Sequence, residues 1–506
     1  MVSLRNSIIK FILFYSLIFT VLAYYTVDFI TFSPRLLILI LSVVIVVIFL
    51  FVSYKQLYPS LGKEYFRPSI LFIVGYLIVF FQRYIDVLIG NMEANNRYLF
   101  VSPELINKCA LLSLIGLLCF IIGYLFYNPA IKKIRETAVQ KYVSIRSVRW
   151  LNYLLLILVI WFLYAYGSYY LSNIYSKDFL DSHKGSAASY LQFAIQSLIF
   201  AILILHAKTG KKEGETFLGF AKSLGLLFHI SFLAYFGLFL LTGDRGPLFT
   251  ITLAYFFAYI IKVRPKINLI VYAILLGIAS FSLSVIGIAR KMDPVLTFYD
   301  RVSYTINENA VSERNSVLNS TAELSSSVRC LHYAIDYVPE KHPYFYGSFQ
   351  FRELLAVIPF SNLVTKDIWD GPIRYRSSAY FITYINQGAA YTYGDGSNVV
   401  ADLYLSFDVF GVIIGLFLFG IFIKKIEVIL FTRDPSKISL WYYSLAMAYV
   451  SLSIYISRST LLDPLREAIF SFLIVVIYNF IFEQITYNPK KTDKYPMTTI
   501  TDSLCE

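Results

Sequence analysis

Four arginines stand at the ends of apolar stretches, which is a costly position for a charge in so apolar a chain. They are Arg83, Arg245, Arg290 and Arg458. A charged side chain within the hydrocarbon costs about 2.5 to 3.5 kcal/mol even on lenient insertion scales, so its placement is informative. A guanidinium matches the oxygens of a phosphate group bidentately. Arginines that share one membrane depth would therefore suit an anionic diphosphate headgroup.

Two other side chains have the chemistry of a proton acceptor. His332 lies between Arg329 and Asp336 at i, i+3 and i+7 of a predicted helix, where the three would share a polar face. Asp402 lies about one turn inside a predicted span, where an unpaired carboxylate would be costly. We predict His332 as the leading general base and Asp402 as its rival. The weaker candidates are carboxylates on predicted helix surfaces, Glu323 and Glu353.

A simpler explanation exists for each of these residues taken singly. An arginine can extend to lipid phosphates or pair with a nearby carboxylate, as Arg245 could with Asp244. A histidine beside an aspartate is commonly structural, and Asp402 could pair with one of the arginines. The explanation weakens for the arginines as a group, because basic residues are disfavoured on the outer face of a membrane protein.

The elements that must position these groups are membrane helices. The chain has 506 residues, of which 58% are hydrophobic and only 15% are charged, against about 25% charged in soluble domains. A helix needs about 20 apolar residues to cross the hydrocarbon. We predict twelve spans over residues 8–30, 35–54, 69–89, 105–127, 151–171, 188–206, 217–241, 247–261, 267–289, 398–423, 438–457 and 466–485.

The basic residues predict the orientation. They concentrate in alternate connections between spans, which identifies those connections as cytoplasmic and places both termini there. The pI of about 9.2 therefore reflects topology, and we expect no nucleic-acid partner. The predicted units are nine helices (1–289), an external loop (290–397), three helices (398–486) and a cytoplasmic tail (487–506).

The external loop is long enough to carry its own structure and a role. Apolar residues at helical spacing predict an amphipathic helix over 311–338 that ends at Pro339, and a shorter helix is predicted over 351–357. An aromatic run then indicates irregular structure at a water–membrane boundary or a sugar-binding surface. Its members are Trp369, Tyr375, Tyr380, Tyr384, Tyr391 and Tyr393. The fold class is thus all-α and polytopic, with a large helical loop.

Metal and cofactor chemistry has no signature in this chain. Neither CxxC nor HExxH occurs, and the five histidines, at 183, 206, 229, 332 and 342, have no metal-ligand spacing. We therefore expect no metal and no cofactor.

Several short motifs resemble the Wzy-type polymerases of O-antigen oligosaccharide repeat units. They are Gly243–Pro247, the Gly-x-x-Arg of Gly287–Arg290, Ser397–Tyr404 with Phe410–Gly411, Gly347–Ser348 before Leu354–Pro359, and Ser457–Ser459. The last family motif usually has an acidic residue, x and tyrosine, followed by Phe-Gly-x-x-Gly. Here Asp408 replaces the first glycine, which puts the local backbone turn in question, and Ser459 stands where a glycine often follows the arginine.

The resemblance implies a GT-C-like, metal-independent glycosyltransferase of the bacterial inner membrane that acts on the periplasmic face in lipopolysaccharide synthesis. It would transfer a growing glycan from undecaprenyl diphosphate to a sugar hydroxyl of the next lipid-linked unit, with membrane lipids and a chain-length regulator as partners. Arg245, Arg290, Arg458, Arg83 and Arg329 would bind the diphosphate, and His332 or Asp402 would accept the proton. An expelled diphosphate builds negative charge that fixed arginines stabilise.

Three other functions stay open. An O-antigen ligase would use the same donor but a different acceptor, and the motif order favours the polymerase. A lipid-linked oligosaccharide flippase would place its charges at mid-depth in two related halves, whereas these charges gather at the outer face. A scaffold subunit of an export complex would use the arginines only to bind lipid.

Overall fold

The computed structural model describes residues 2–55, 65–127, 145–173, 183–208, 216–242, 244–265, 298–307, 319–358, 372–391, 393–432 and 438–486, with isolated positions between 274 and 285. Every regular element within those ranges is helical. The helices are α1 Val2–Thr26, α2 Pro34–Ser53, α3 Pro68–Leu88, α4 Arg97–Phe100, α5 Leu105–Phe126, α6 Ile145–Asn173, α7 His183–Lys208, α8 Phe217–Leu224, α9 Leu226–Thr242, α10 Arg245–Val263, α11 Phe298–Asn307, α12 Ala322–Ser325, α13 Val328–Tyr337, α14 Ser348–Ala356, α15 Ser378–Gln387, α16 Val399–Thr432, α17 Leu440–Ile456 and α18 Asp463–Thr486.

The described helices confirm a polytopic membrane protein. Among them, nine are long and apolar enough to cross a bilayer. The pair α8 and α9, bent by 94°, fits either a broken tenth span or a re-entrant loop. The shorter apolar helix α17 matches another predicted span. The predicted span over 267–289 lies largely outside the described residues, so the count of twelve and the GT-C-like arrangement stay predictions.

The centre of the bundle is the contact between α5 and α16. In the most apolar stretch of α5, 94% of the residues are buried. In the same kind of stretch in α1 and α2, only 22% and 28% of the residues are buried. A side chain on Gly123 would collide with the carbonyl of Phe417, and one on Gly420 would collide with the carbonyl of Phe120. Small residues let two helix backbones approach closely in a membrane. These glycines therefore fix α16 against the buried core. They also fix the side chains at the end of α16 that the basic residues predict to be external, the outer end.

Helix α16 is interrupted near its outer end, at Phe407 and Asp408. A continuous helix over its full length would be about 51 Å long, well beyond the roughly 30 Å of hydrocarbon. The interruption separates residues 399–406 from a membrane-crossing part over 409–432. The backbone N–H groups of Phe345 and Tyr346 donate to the Leu405 and Ser406 carbonyls, each at 2.9 Å, so the large loop packs into the interruption.

The large loop differs from its prediction in two places. The helix predicted over 311–338 is not continuous in the described part, because a short 3₁₀ turn over Asn319–Thr321 is followed by separate helices α12 and α13. The predicted end before Pro339 is confirmed, since α13 ends at Tyr337. The shorter predicted helix is confirmed as α14, which begins three residues earlier than expected.

The aromatic run also contains a helix where irregular structure was expected. Helix α15 begins after Ser377, whose hydroxyl accepts a hydrogen bond from the Tyr380 N–H at 3.4 Å, and it ends at Gly388 with φ of 75°. A serine cap and a glycine stop are ordinary helix boundaries, and the density of tyrosines hid them. Trp369 lies outside the described residues.

Candidate functional site

Two of the predicted arginines share a neighbour, Tyr455, near the end of α17. Arg245 begins α10, and Arg458 follows the end of α17. Both guanidinium groups lie within electrostatic reach of Tyr455, as do the carboxylates of Glu323 and Asp244. All five side chains are partly exposed. The convergence of Arg245 and Arg458 on one diphosphate stays a prediction, and their shared neighbour Tyr455 is compatible with it.

The carboxylate partner of Arg245 is not the one that the sequence suggested. Arg245 forms an ion pair with Glu323 of α12, and their side chains are 12% and 22% exposed. Asp244 is instead the N-cap of α10, where its carboxylate accepts a hydrogen bond from the Gly246 N–H at 3.3 Å. Arg290 and Gly243 lie outside the described residues, so the place of Arg290 in this group stays a prediction.

Arg83 holds the large loop against α3. Its guanidinium forms an ion pair with Asp86 at 3.2 Å and donates to the Ala322 carbonyl and to the Ser326 hydroxyl. The side chain is only 9% exposed. Both of its terminal nitrogens thus contact protein groups, which favours a positioning role over direct contact with a diphosphate.

Arg329 is also committed to a buried contact that the sequence did not reveal. Its guanidinium lies 2.7 Å from the carboxylate of Asp395, whose side chain is fully buried. The same carboxylate accepts hydrogen bonds from the amides of Asn386 and Gln387, and Tyr98 covers the guanidinium at 4.6 Å. Asp395 stands between two glycines, a pattern that indicates a turn and gives no sign of a buried ion pair.

His332 does not lie on an exposed polar face, which corrects the predicted arrangement with Arg329 and Asp336. Its ring is fully buried, with Nδ1 at 3.0 Å from the Phe100 carbonyl and Nε2 at 3.1 Å from the Tyr84 hydroxyl. A carbonyl only accepts, so Nδ1 carries the proton and Nε2 accepts from Tyr84. Burial lowers the pKa of His332 to about 3. Its assignment as the base stays a prediction, and this environment argues against it.

Asp402 occupies the first turn of α16 and is 2% exposed. The Gln350 side-chain amide donates to its Oδ2 at 2.6 Å. The Ser406 hydroxyl donates to the Gln350 Oε1 at 2.8 Å, which turns the amide nitrogen toward Asp402. Asp402 is therefore a carboxylate held by α14 of the large loop, at the end of the span that carries the family-like motif.

Glu353 lies one turn after Gln350 on α14 and forms a second acidic group beside Asp402. Its Oε2 accepts a hydrogen bond from the Thr460 hydroxyl at 3.0 Å. Burial and the negative charge of Asp402 raise the pKa of Glu353 well above its usual range. Two neighbouring carboxylates favour a state in which one is protonated and the other is ionised. From the sequence, Glu353 is a weak candidate for the general base, because a carboxylate on a helix surface is usually solvated.

The turn after α17 connects the arginines with the acidic pair. The carbonyl of Ser457 accepts a hydrogen bond from the Val399 N–H, at the start of the helix that carries Asp402. Arg458 follows directly, and Thr460 reaches Glu353. This turn thus carries the cationic Arg458 two residues before Thr460, whose hydroxyl contacts the acidic pair.

No group of three or more histidine, cysteine or acidic side chains is placed to hold a metal ion in the part of the chain that the structure describes. The arrangement at the outer end is one of arginines, carboxylates and hydroxyls.

Comparison with protein families gives a match over nearly the whole chain. Residues 7–490 match the family described as O-antigen polysaccharide polymerase Wzy. Neither a curated protein nor a solved structure matches the chain.

Proposed function

From the premise that the chain belongs to the O-antigen polysaccharide polymerase Wzy family, we propose that it transfers a growing glycan between lipid carriers. The donor would be the glycan on undecaprenyl diphosphate, and the acceptor a sugar hydroxyl of the next carrier-linked repeat unit. The reaction would take place on the periplasmic face of the bacterial inner membrane, with both termini cytoplasmic, as the distribution of basic residues predicts. A chain-length regulator stays a predicted partner.

Arg245 and Arg458 would stabilise the leaving diphosphate. When the bond from the anomeric carbon to the diphosphate breaks, negative charge accumulates on the phosphate oxygens. Guanidinium groups that are fixed before the reaction stabilise such charge without reorganisation, by roughly 3 kcal/mol for a well-placed donor. Arg290 would join them, whereas the contacts of Arg83 and Arg329 favour roles in holding the large loop.

Asp402 is the residue we propose as the general base. Its position is fixed by Gln350. Burial and the charge of Asp402 raise the pKa of the neighbouring Glu353, which favours a protonated Glu353 beside an ionised Asp402. An ionised carboxylate could accept the proton of the acceptor hydroxyl as that oxygen attacks the anomeric carbon. The acceptor would then lie between α14 and the turn after α17. No resident metal is needed for these steps as written.

The observation that carries this proposal is the short turn over Ser457–Thr460. Within it, Arg458 shares the neighbour Tyr455 with Arg245, and Thr460 is hydrogen-bonded to Glu353 beside Asp402. A flippase has no need for a leaving-group site next to a proton acceptor. The polymerase and the ligase both need one, and the family match favours the polymerase.

The test is complementation of a strain that lacks the gene, with the surface glycan separated on a gel. We expect Arg458→Ala and Asp402→Asn to leave a glycan that is capped by one repeat unit. Arg35→Ala is the matched control, because Arg35 is an exposed arginine at the start of α2 and should leave the ladder unchanged. Unchanged ladders for both site variants would contradict the proposal. Complete loss of surface glycan in the deletion strain would indicate flipping or ligation instead.

A further inference from the structure

One segment of the large loop crosses the outer end of the bundle beside the arginine pair. We name residues 319–327 the strap. Side chains of Gln82 and Arg83 tie the strap to α3, and Asn398 ties its end to the start of α16 at 2.8 Å. These contacts place the strap over the helix ends where the proposed donor site lies.

The strap carries a carboxylate into that site. Glu323 pairs with Arg245, and both side chains are shielded from solvent on most of their surface. Glu323 and Arg245 both lie within reach of Tyr455, together with Arg458. A carboxylate binds a guanidinium through two oxygens in the same fork geometry that a phosphate uses. Glu323 therefore occupies the position on Arg245 that a phosphate oxygen would take.

Among the described residues of this group, two carboxylates face two guanidinium groups. Arg245 and Arg458 are the cationic members, and Glu323 and Asp244 are the acidic ones. Asp244 is fixed as the cap of α10, whereas Glu323 is on a four-residue helix of the large loop. An incoming anion gains attraction from both arginines only when the Glu323 carboxylate moves away.

We propose that Glu323 is a placeholder for the donor diphosphate on Arg245. The diphosphate displaces the Glu323 carboxylate from Arg245 when it binds, and the carboxylate returns to Arg245 after transfer. The inference rests on the proposed function, because that function assigns Arg245 to the diphosphate. A diphosphate carries more charge than one carboxylate and also engages Arg458, so it can win this competition. The carrier diphosphate that remains after transfer must leave, and the returning Glu323 carboxylate assists its release. Glu323 is thus a positioning residue. Its carboxylate weakens binding of the donor diphosphate and speeds release of the carrier diphosphate.

The test measures binding of radiolabelled farnesyl diphosphate to the full-length protein in nanodiscs of neutral lipid. We expect Glu323→Gln to tighten binding about tenfold, a magnitude typical of losing one partly exposed competing charge. Arg245→Ala should weaken binding, and Glu323→Gln should add nothing in that background. Asp336→Asn is the matched control, because it removes one carboxylate from another ion pair of the same loop, that with Lys341, and should have no effect.

A second measurement follows turnover. Polymerisation by Glu323→Gln should be inhibited by added carrier diphosphate at lower concentrations than the wild type, because release becomes slower. Glu323→Ser is the alternative if the glutamine variant does not fold, since it removes the charge and the bulk together. An unchanged or weakened affinity of a folded Glu323 variant would overturn the placeholder role. If Arg245→Ala leaves farnesyl diphosphate binding intact, the proposed donor site itself is wrong.

Discussion

The Gln350 amide nitrogen lies 2.6 Å from the Asp402 carboxylate, and this contact joins the large loop to the first turn of α16. The same glutamine accepts a hydrogen bond from Ser406 through its carbonyl oxygen. Its orientation is therefore fixed by a residue one turn after Asp402. A base that works on a bound hydroxyl must be held within hydrogen-bond reach of it, so this contact has a consequence for the rate.

Replacing Gln350 should slow polymerisation without unfolding the protein. We expect Gln350→Ala to lower the turnover rate about tenfold, because the Asp402 carboxylate loses its fixed position. Gln350→Glu should be more harmful, since a negative charge beside Asp402 raises the pKa of that carboxylate. The measurement is the rate of polymer formation in proteoliposomes as a function of pH. A structural role alone would leave the pH profile of both variants like that of the wild type.

Replacing Asp395 should lower the stability of the protein, whereas replacing Gln350 should lower the rate, because Asp395 holds the loop in place. Asp395→Asn removes the charge partner of the buried Arg329 and should cost about 3 kcal/mol of stability. The expected result is a lower melting temperature and less folded protein, measured by thermal unfolding in detergent. Asp402→Asn, at an equally buried carboxylate, should instead lose activity with a smaller change in melting temperature. Equal losses of stability in the two variants would contradict this separation of roles.

The sequence predicted the helical membrane architecture well, because spans are selected by apolar length alone. The polar contacts of the large loop could not be predicted in that way. His332 shows the limit most clearly: its neighbours Arg329 and Asp336 suggested a polar face, but Phe100 and Tyr84 come from distant helices and bury it. Spacing along a helix predicts which residues share a face. Whether that face is exposed to solvent depends on how the helix packs against other elements.

Glu323 and Glu353 are two carboxylates whose contacts could not be predicted from the sequence either. Both are carboxylates on short helices, and such carboxylates are usually solvated. For that reason both are weak candidates for the general base when only the sequence is considered. Their partners Arg245 and Thr460 belong to distant parts of the chain, so no local pattern marks the contacts. Arg245 and Arg458 were found because a charge beside an apolar span is unusual in itself.

Asp408 offers a test of the backbone at the interruption of α16. Its φ of 56° and ψ of −154° lie in a region that glycine adopts readily and other residues do not, at a cost of about 1 to 3 kcal/mol. The related family motif has glycine at this position. Asp408→Gly should therefore raise the free energy of unfolding by about 1 kcal/mol, measured by thermal or denaturant unfolding.

The control for that change is Asp408→Ala. Alanine removes the same carboxylate, which interacts with Tyr344, but it keeps the penalty for positive φ. The alanine variant should be no more stable than the wild type. A gain of equal size in both variants would show that loss of the charge, and not relief of the backbone, stabilises the protein.

The buried imidazole of His332 predicts a loss of stability in acid. Its pKa in the folded protein is about 3, whereas an unfolded histidine titrates near 6.5, so below that pH the unfolded state binds a proton that the folded state does not. The free energy of unfolding should fall by about 1.4 kcal/mol for each pH unit between about 6 and 3 from this residue alone. His332→Gln has no such proton, and its stability should depend less on pH over that range, measured by thermal unfolding at a series of pH values. His342→Gln, which removes a partly exposed histidine of the same loop, is the matched control. If folded His332→Gln protein also formed no polymer, while Asp402→Asn remained active, His332 and not Asp402 would be the proton acceptor.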